Sequence, residues 1–208
     1  MTGVLTQYFS FSGNDYLLVL PMLLLTLFAL GILMIDLMLP KAWKQMNAIT
    51  ALTGTAFSAA AVGKLHHAYN VAEQRGLPFT STGFMNSLLV DRFALYFFYL
   101  FLLGAAIAIL MSTHYLEIER ENHGEFYALL LFSVVGMMCM AAGYDIVLIF
   151  IGLELMAIST YVLVGFLRRD KRSNEAALKY LLLGAFSSGI FAYGLSLLYG
   201  LTGSTNLS

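Results

Sequence analysis

The chain has 208 residues, of which 60% are hydrophobic and 11% charged, with a formal net charge of −1. Soluble domains carry about 25% charged residues, so this composition, with a mean hydropathy of +0.80, excludes a water-facing surface and points to an integral membrane protein. The near-zero charge gives no footprint for a nucleic-acid partner, and the single cysteine, Cys139, can form neither an internal disulfide nor a metal cluster and reads as a small buried hydrophobe.

Residues 1–15 contain no Lys or Arg, so they lack the basic region of a secretory signal. The first predicted span, 16–39, is about 24 residues, enough to cross a hydrocarbon core of roughly 30 Å with some tilt. Pro40 ends it, and Trp43 in the following KAWK is placed for the membrane interface. Asp36 lies within one turn of that end, where headgroups or water are in reach. A weaker second span, 46–62, is interrupted by Thr50, Thr53, Thr55 and Ser58. Such hydroxyls bond to the preceding turn or to another helix, so this span is expected to face protein more than lipid. The stretch 63–88 is expected to be a solvated or interfacial loop. Its adjacent His66 and His67 would point to different sides of a helix and make a poor chelating pair.

The third span is 89–112, with YFFY at 96–99 and with Asp91 and Arg92 as interfacial anchors at its entrance. An acidic loop, 113–125, follows, carrying His114 and His123 but no metal-ligand spacing such as HExxH. The fourth span is 126–142, Gly143-Tyr144 makes a tight turn, and the fifth span is 145–167. A basic connector, 168–175 (RRDKRSNE), leads into the sixth span, 176–200, and the tail beyond is polar. The expected fold class is all-α: a polytopic transmembrane helix bundle of six spans in a single domain, 1–208. Lys41, Lys44, Arg120, Arg168, Arg169, Lys171 and Arg172 fall on one side, and Lys64, Arg75 and Arg92 on the other. The positive-inside rule then puts the N-terminus outside and the connector in the cytoplasm.

Two spans carry a charge deep in apolar sequence, Glu154 in the fifth and Lys179 in the sixth. A charged group at a helix centre costs roughly 2.5–3.5 kcal/mol on insertion scales, and chains of such groups form proton relays. Glu154 is about 14 residues, near 20 Å, from Arg168, which puts it close to mid-membrane, whereas Lys179 lies about 10 Å beyond the connector. Between antiparallel neighbours the two depths differ by roughly 10 Å, so water or a third residue would have to join them. The plainer alternatives are that Glu154 bonds a neighbouring hydroxyl and that Lys179 snorkels to the interface. Tyr161, two turns beyond Glu154 on the same face, is a candidate to carry water or a hydrogen bond.

Gly184, Ser188, Ala192, Ser196 and Gly200 recur every four residues in the sixth span, a small-residue ridge expected to be a helix-packing seam. Lys179 lies about 140° around the helix from Gly184, so the charged and packing faces are distinct. The sequence holds no G-x-G-x-x-G, P-loop, C-x-x-C or nucleophile elbow. No catalytic residue, cofactor-binding residue or metal ligand is therefore assigned, and the energy for proton movement has to come from a partner.

The block LIFIGLELMAISTYVLVGF, followed by RRDKRSNEAALKYLLLGAFSSGIFAYGLSLLYG, closely resembles the subunit N family of bacterial NADH-quinone oxidoreductase, respiratory complex I. It is more distantly similar to the antiporter-like subunits of that complex and to Mrp-type cation/proton antiporters. The resemblance is strongest over 140–205, with LEL around Glu154 and EAALKY…GAFSSG around Lys179 carrying it, and MIDL at 34–37 in support. It implies that Glu154 is the acidic residue of the family's fifth helix and Lys179 the lysine of its sixth, acting in a proton path with lysines on later helices. It further implies a longer antiporter-like subunit of roughly fourteen spans, of which this chain is the N-terminal portion.

NADH, FMN, iron–sulfur clusters and quinone are then expected in partner subunits, with none bound here. The implied partners are other membrane-arm subunits, especially neighbouring antiporter-like ones, and the lipid bilayer of a bacterial inner membrane. Two other readings share these residues: a subunit of a Mrp-type antiporter, and a shortened fragment with a structural role. Cation-dependent proton flux separates the first from the oxidoreductase; proton pumping unchanged by Glu154→Gln marks the second.

Overall fold

In hydrocarbon, backbone N–H and C=O groups have no water to bond, so an apolar segment satisfies them within itself as a helix. The computed structural model, which describes residues 13–38, 40, 44–74, 82–84, 86–119 and 124–207, shows this for all six apolar runs. They form α1 (Gly13–Met38), α2 (Met46–Gln74), α3 (Arg92–Ile118), α4 (Gly124–Ala142), α5 (Ile146–Val164) and α6 (Lys171–Thr202). Each is long and apolar enough to cross a membrane.

Three of the helices start at an aspartate whose side chain accepts a backbone N–H of the first turn, the usual way to satisfy an orphan donor. Asp91 accepts from Ala94 at 2.8 Å, Asp145 from Val147 at 2.8 Å, and Asp170 from Arg172 at 3.0 Å. Asp91, expected as an interfacial anchor, is thus the N-cap of α3. α6 closes on Gly203 in the left-handed conformation at φ 69°, a conformation that glycine adopts without penalty.

α4 is central: it packs on α1, α2, α3 and α5. Leu25 and Ile32 of α1, Val62 of α2, Phe98 and Ile109 of α3, and Leu131 and Met138 of α4 are fully buried there. Of the hydroxyls that led α2 to be expected against protein, Thr55 and Ser58 are buried, Thr50 is half-buried and Thr53 is exposed. Thr50, Thr53 and Thr55 donate back to carbonyls of their own helix, and the buried Ser58 crosses to the Pro21 carbonyl of α1 at 2.9 Å. α6 lies against α5 and has no buried residue among those described.

The largest difference from the sequence reading is in 63–88. Residues 63–74 continue α2 rather than forming a loop. Outside the apolar stretch this extension is held by side chains: His66 packs on Tyr99 at 6.2 Å, and Arg92 pairs with Glu73 while lying over the Tyr69 ring at 5.5 Å. Beyond it, β1 (Thr82–Gly83) and β2 (Leu88–Leu89) form an antiparallel hairpin. For the same reason α3 runs on to Ile118 and α6 begins inside the expected connector, at Lys171. Apolar length measures the span, whereas intrahelical bonding continues into the polar zone. Lys41, Trp43, Arg75, Arg120 and His123 lie outside the described residues.

At one end of the bundle the hairpin, the α4–α5 turn and the tail after α6 are knitted together. The Tyr144 N–H donates to Ser87 at 2.8 Å, Ile146 to Thr205 at 2.9 Å, and Leu207 to Tyr144 at 3.0 Å. Asn206 Nδ2 reaches the Asn86 carbonyl at 2.8 Å. The polar tail is therefore docked. The opposite end, which carries Lys44, Arg168, Arg169, Lys171 and Arg172, is the basic end of the bundle.

Candidate functional site

Two glycines seat Glu154. A Cβ on Gly136 would lie 2.5 Å from the Gly152 carbonyl oxygen and 2.6 Å from the Met156 nitrogen. Small residues let membrane helices approach this closely, and the contact fixes α5 on α4 half a turn before Glu154. Glu154 is half-buried, and its Oε1 is buried without a hydrogen-bond partner. The serine and threonine hydroxyls near it on α5 are engaged elsewhere: Ser159 donates to the Leu155 carbonyl at 2.7 Å and Thr160 to that of Ala157 at 2.9 Å. The plain reading, in which Glu154 bonds a neighbouring hydroxyl, is not what the structure shows. An unsatisfied buried polar group costs about 1–3 kcal/mol, more when charged.

Three pairs help to set the α5–α6 face, beside the bond from Ser173 Oγ to the Val164 carbonyl at 2.7 Å. Gly165 lies against Ala177, Phe150 stacks on Phe191 at 6.0 Å, and Tyr161 meets Tyr180 edge to face at 4.7 Å with its hydroxyl over Gly184. Tyr161 is buried and within electrostatic reach of Glu154. In this register Lys179 is level with Leu163, so it lies about 13 Å along the axis from Glu154. Its ammonium bonds Glu175 at 2.5 Å, one turn nearer the basic end, and both side chains are exposed. Glu154 and Lys179 are not brought together. Lys179 instead leans in the direction a snorkelling lysine takes.

Of the small-residue ridge, Gly184, Ser188 and Ala192 are half-buried toward α5, while Ser196 and Gly200 are exposed, and a Cβ on Gly200 would meet nothing within 4 Å. The expected seam therefore closes over its first three members. The reason is length: α5 begins at Ile146, level with Ser196, and offers nothing further to pack on.

The sequence reading missed a polar cluster at the basic end. Asp36 Oδ1 accepts from Asn47 Nδ2 at 2.6 Å, and its Oδ2 is 3.3 Å from Lys44 Nζ, with side-chain exposures of 13% for Asp36 and 17% for Lys44. Gly124 presses on the pair from the start of α4. Asp36 thus ties α1, α2 and α4 together, because Lys44 and Asn47 reach it from the start of α2 and Gly124 packs on it from α4. An acid in the last turn of one span, with Lys and Asn opening the next, was the available signal. Beside this cluster is a cavity of about 390 Å³ lined by Gln45, Thr113, His114, Glu117 and Tyr127, among others. Among the described residues no three His, Cys, Asp or Glu side chains gather to hold a metal. Cys139 is half-buried, its sulfur 3.8 Å from that of Met22, on the contact of α4 with α1.

Six apolar helices, one holding an unpartnered carboxylate oxygen at its middle, define an all-α polytopic membrane protein. A family model described as the transmembrane region of NADH:quinone oxidoreductase and Mrp antiporters matches residues 143–208, and NADH-quinone oxidoreductase subunit N 1 of Koribacter versatilis is 64% identical over 95% of this chain. The chain belongs to this antiporter-like membrane-subunit family. Subunit N of Trichlorobacter lovleyi is 42% identical over 91% of the chain. A chain of respiratory complex I from Thermus thermophilus, solved with bound aureothin, matches at a TM-score of 0.69 and 29% identity, covering 90% of this chain and 38% of that one. The membrane-bound sulfane sulfur reductase, an archaeal respiratory complex, shares the fold at a TM-score of 0.68 and 24% identity, covering 91% of this chain and 38% of its own. The chain spans 38% of the length of the Koribacter relative and 37% of the Trichlorobacter one.

Proposed function

We propose that this chain belongs to a membrane-arm subunit of a proton-translocating NADH:quinone oxidoreductase, in which Glu154 carries protons at the middle of α5. The observation that supports this best is the buried, unpartnered Oε1 of Glu154, seated by a backbone contact between α4 and α5. Intramembrane acids face a polar path or a partner in membrane proteins, because lipid offers them none. Subunit N relatives over 95% of the chain favour the oxidoreductase over the Mrp antiporter.

In this reading the chain is part of a translocase and holds no redox centre. NADH, FMN, the iron–sulfur clusters and quinone reside in other subunits, and electron transfer there drives proton movement here. Lys179 is the second charged group of the path, completed by lysines on later helices of a longer subunit. Neighbouring antiporter-like subunits of the membrane arm are the partners. The clustering of Lys44, Arg168, Arg169, Lys171 and Arg172 at one end supports a cytoplasmic basic end and an N-terminus outside a bacterial inner membrane.

The test is Glu154→Gln in inverted membrane vesicles containing the assembled oxidoreductase. The expected result is loss of NADH-driven proton uptake, with assembly on a native gel and NADH–ferricyanide activity retained. An assembled variant that pumps normally sinks the assignment.

A further inference from the structure

Glu154 sits between the two aromatic pairs that lock α5 to α6. Toward the hairpin end Phe150 stacks on Phe191 with ring planes 18° apart. Toward the basic end Tyr161 and Tyr180 meet with planes 88° apart. Both pairs close the seam sterically, but they differ in chemistry. Phenyl rings carry no hydrogen-bonding group and interrupt a proton-conducting chain. A phenol donates and accepts at one oxygen, so it can continue one.

The geometry aims Tyr161 at Glu154. Side chains on a helix lean toward its N-terminus, which for Tyr161 is the direction of Glu154. Its hydroxyl reaches Gly184, where a Cβ would overlap it. Gly184 is level with Ile158, so the hydroxyl ends about 6 Å along the axis from the Cα of Glu154, and water completes the path to its carboxylate. On the other side of the tyrosine pair lie Lys179 and its partner Glu175.

Resting on the reading of Glu154 as a proton carrier, we propose that Tyr161 and Tyr180 form a one-sided proton gate. They connect Glu154 to the basic end, and Phe150 with Phe191 closes the same seam toward the hairpin end. In each transfer the Tyr161 O–H gives its proton through intervening water to the Glu154 carboxylate. Through water, the Tyr180 O–H gives its proton to the Tyr161 oxygen in the same step and takes one in turn from water at the basic end. Each phenol is neutral before and after, one proton has moved to Glu154, and no electron is involved.

Tyr161→Phe keeps the ring and removes the oxygen. In vesicles with the assembled oxidoreductase, it is expected to slow NADH-driven proton uptake several-fold and to raise the ratio of rates in H₂O and D₂O, with assembly and NADH–ferricyanide activity unchanged. Tyr161→Phe that pumps like the parent, while Glu154→Gln has lost pumping, overturns the gate and leaves Glu154 in place. Normal pumping by both overturns both. Slowed pumping with an unchanged isotope ratio marks a structural role and also overturns the gate. Should Tyr161→Phe fail to assemble, Tyr180→Phe, at a residue that is 43% exposed, decides by the same criteria.

Discussion

Gly152 touches Gly136 so closely that a Cβ on Gly152 would lie 2.8 Å from the Gly136 carbonyl oxygen. The neighbouring atoms are backbone of Gly136 and Met140 and the Cβ of Cys139, none of which can rotate away. A methyl at Gly152 therefore has to push α5 off α4, and overpacking of this kind costs about 1–3 kcal/mol. Gly152→Ala is expected to lower the thermal midpoint of the solubilised assembly and to slow proton uptake, since Glu154 moves with α5. Gly104→Ala, on α3 with nothing within 4 Å, is the control and is expected to be neutral or slightly stabilising, because alanine is the better helix former by about 1 kcal/mol.

Asp36 of α1 bonds two partners at the start of α2 and is packed on by Gly124 of α4, so its replacements separate packing from pairing. Asp36→Leu takes the acceptor from the side-chain amide of Asn47, which is fully buried, and one ion-pair contact from Lys44. Removing one member of a buried pair costs about 3–5 kcal/mol. Asp36→Asn keeps an acceptor for Asn47 and is expected to lose less. Thermal unfolding followed by native-gel mobility ranks the variants; equal midpoints for Asp36→Leu and the parent would show that the cluster contributes nothing.

Much of this structure is legible in the chain itself. Six spans follow from apolar length, and the depth of Glu154 from the rise of the helix, because lipid leaves the backbone no alternative to a helix. What the sequence hid depends on side chains meeting across helices. The extension of α2 past Val62 rests on Arg92, Glu73 and Tyr69, residues of two elements that no local pattern joins. Gly136 and Gly152 look like ordinary span glycines until α4 and α5 are placed. The ridge from Gly184 to Gly200 was visible, but where it ends is set by where α5 begins. Charge alone marked Lys179, whereas its pairing with Glu175 needed coordinates.

Asp145 does two jobs at the hairpin end. One oxygen caps α5 through the Val147 N–H, and the other accepts from Thr205 Oγ1 at 2.5 Å. Asp145→Ala is expected to cost about 1 kcal/mol from the lost cap and to free the tail. Thr205→Val removes only the tail bond. Hydrogen exchange should rise over residues 203–207 in both variants, and over the first turn of α5 only in Asp145→Ala. Unchanged exchange in the tail would show that its backbone bonds to Tyr144 and Ile146 suffice.

Lys179 and Glu175 are bonded at 2.5 Å, yet their side chains are 71% and 66% exposed. A pair of this kind, one turn apart on a helix, contributes about 0.3–0.5 kcal/mol. Glu175→Gln is therefore expected to leave stability and proton uptake nearly unchanged. Lys179→Ala is expected to be as stable but to pump more slowly, since it removes the charge beyond the tyrosine pair. NADH-driven proton uptake in vesicles, measured beside the thermal midpoint, checks both. If Lys179→Ala pumps like the parent, Lys179 is a snorkelling anchor and the path from Tyr180 to the basic end runs through other groups.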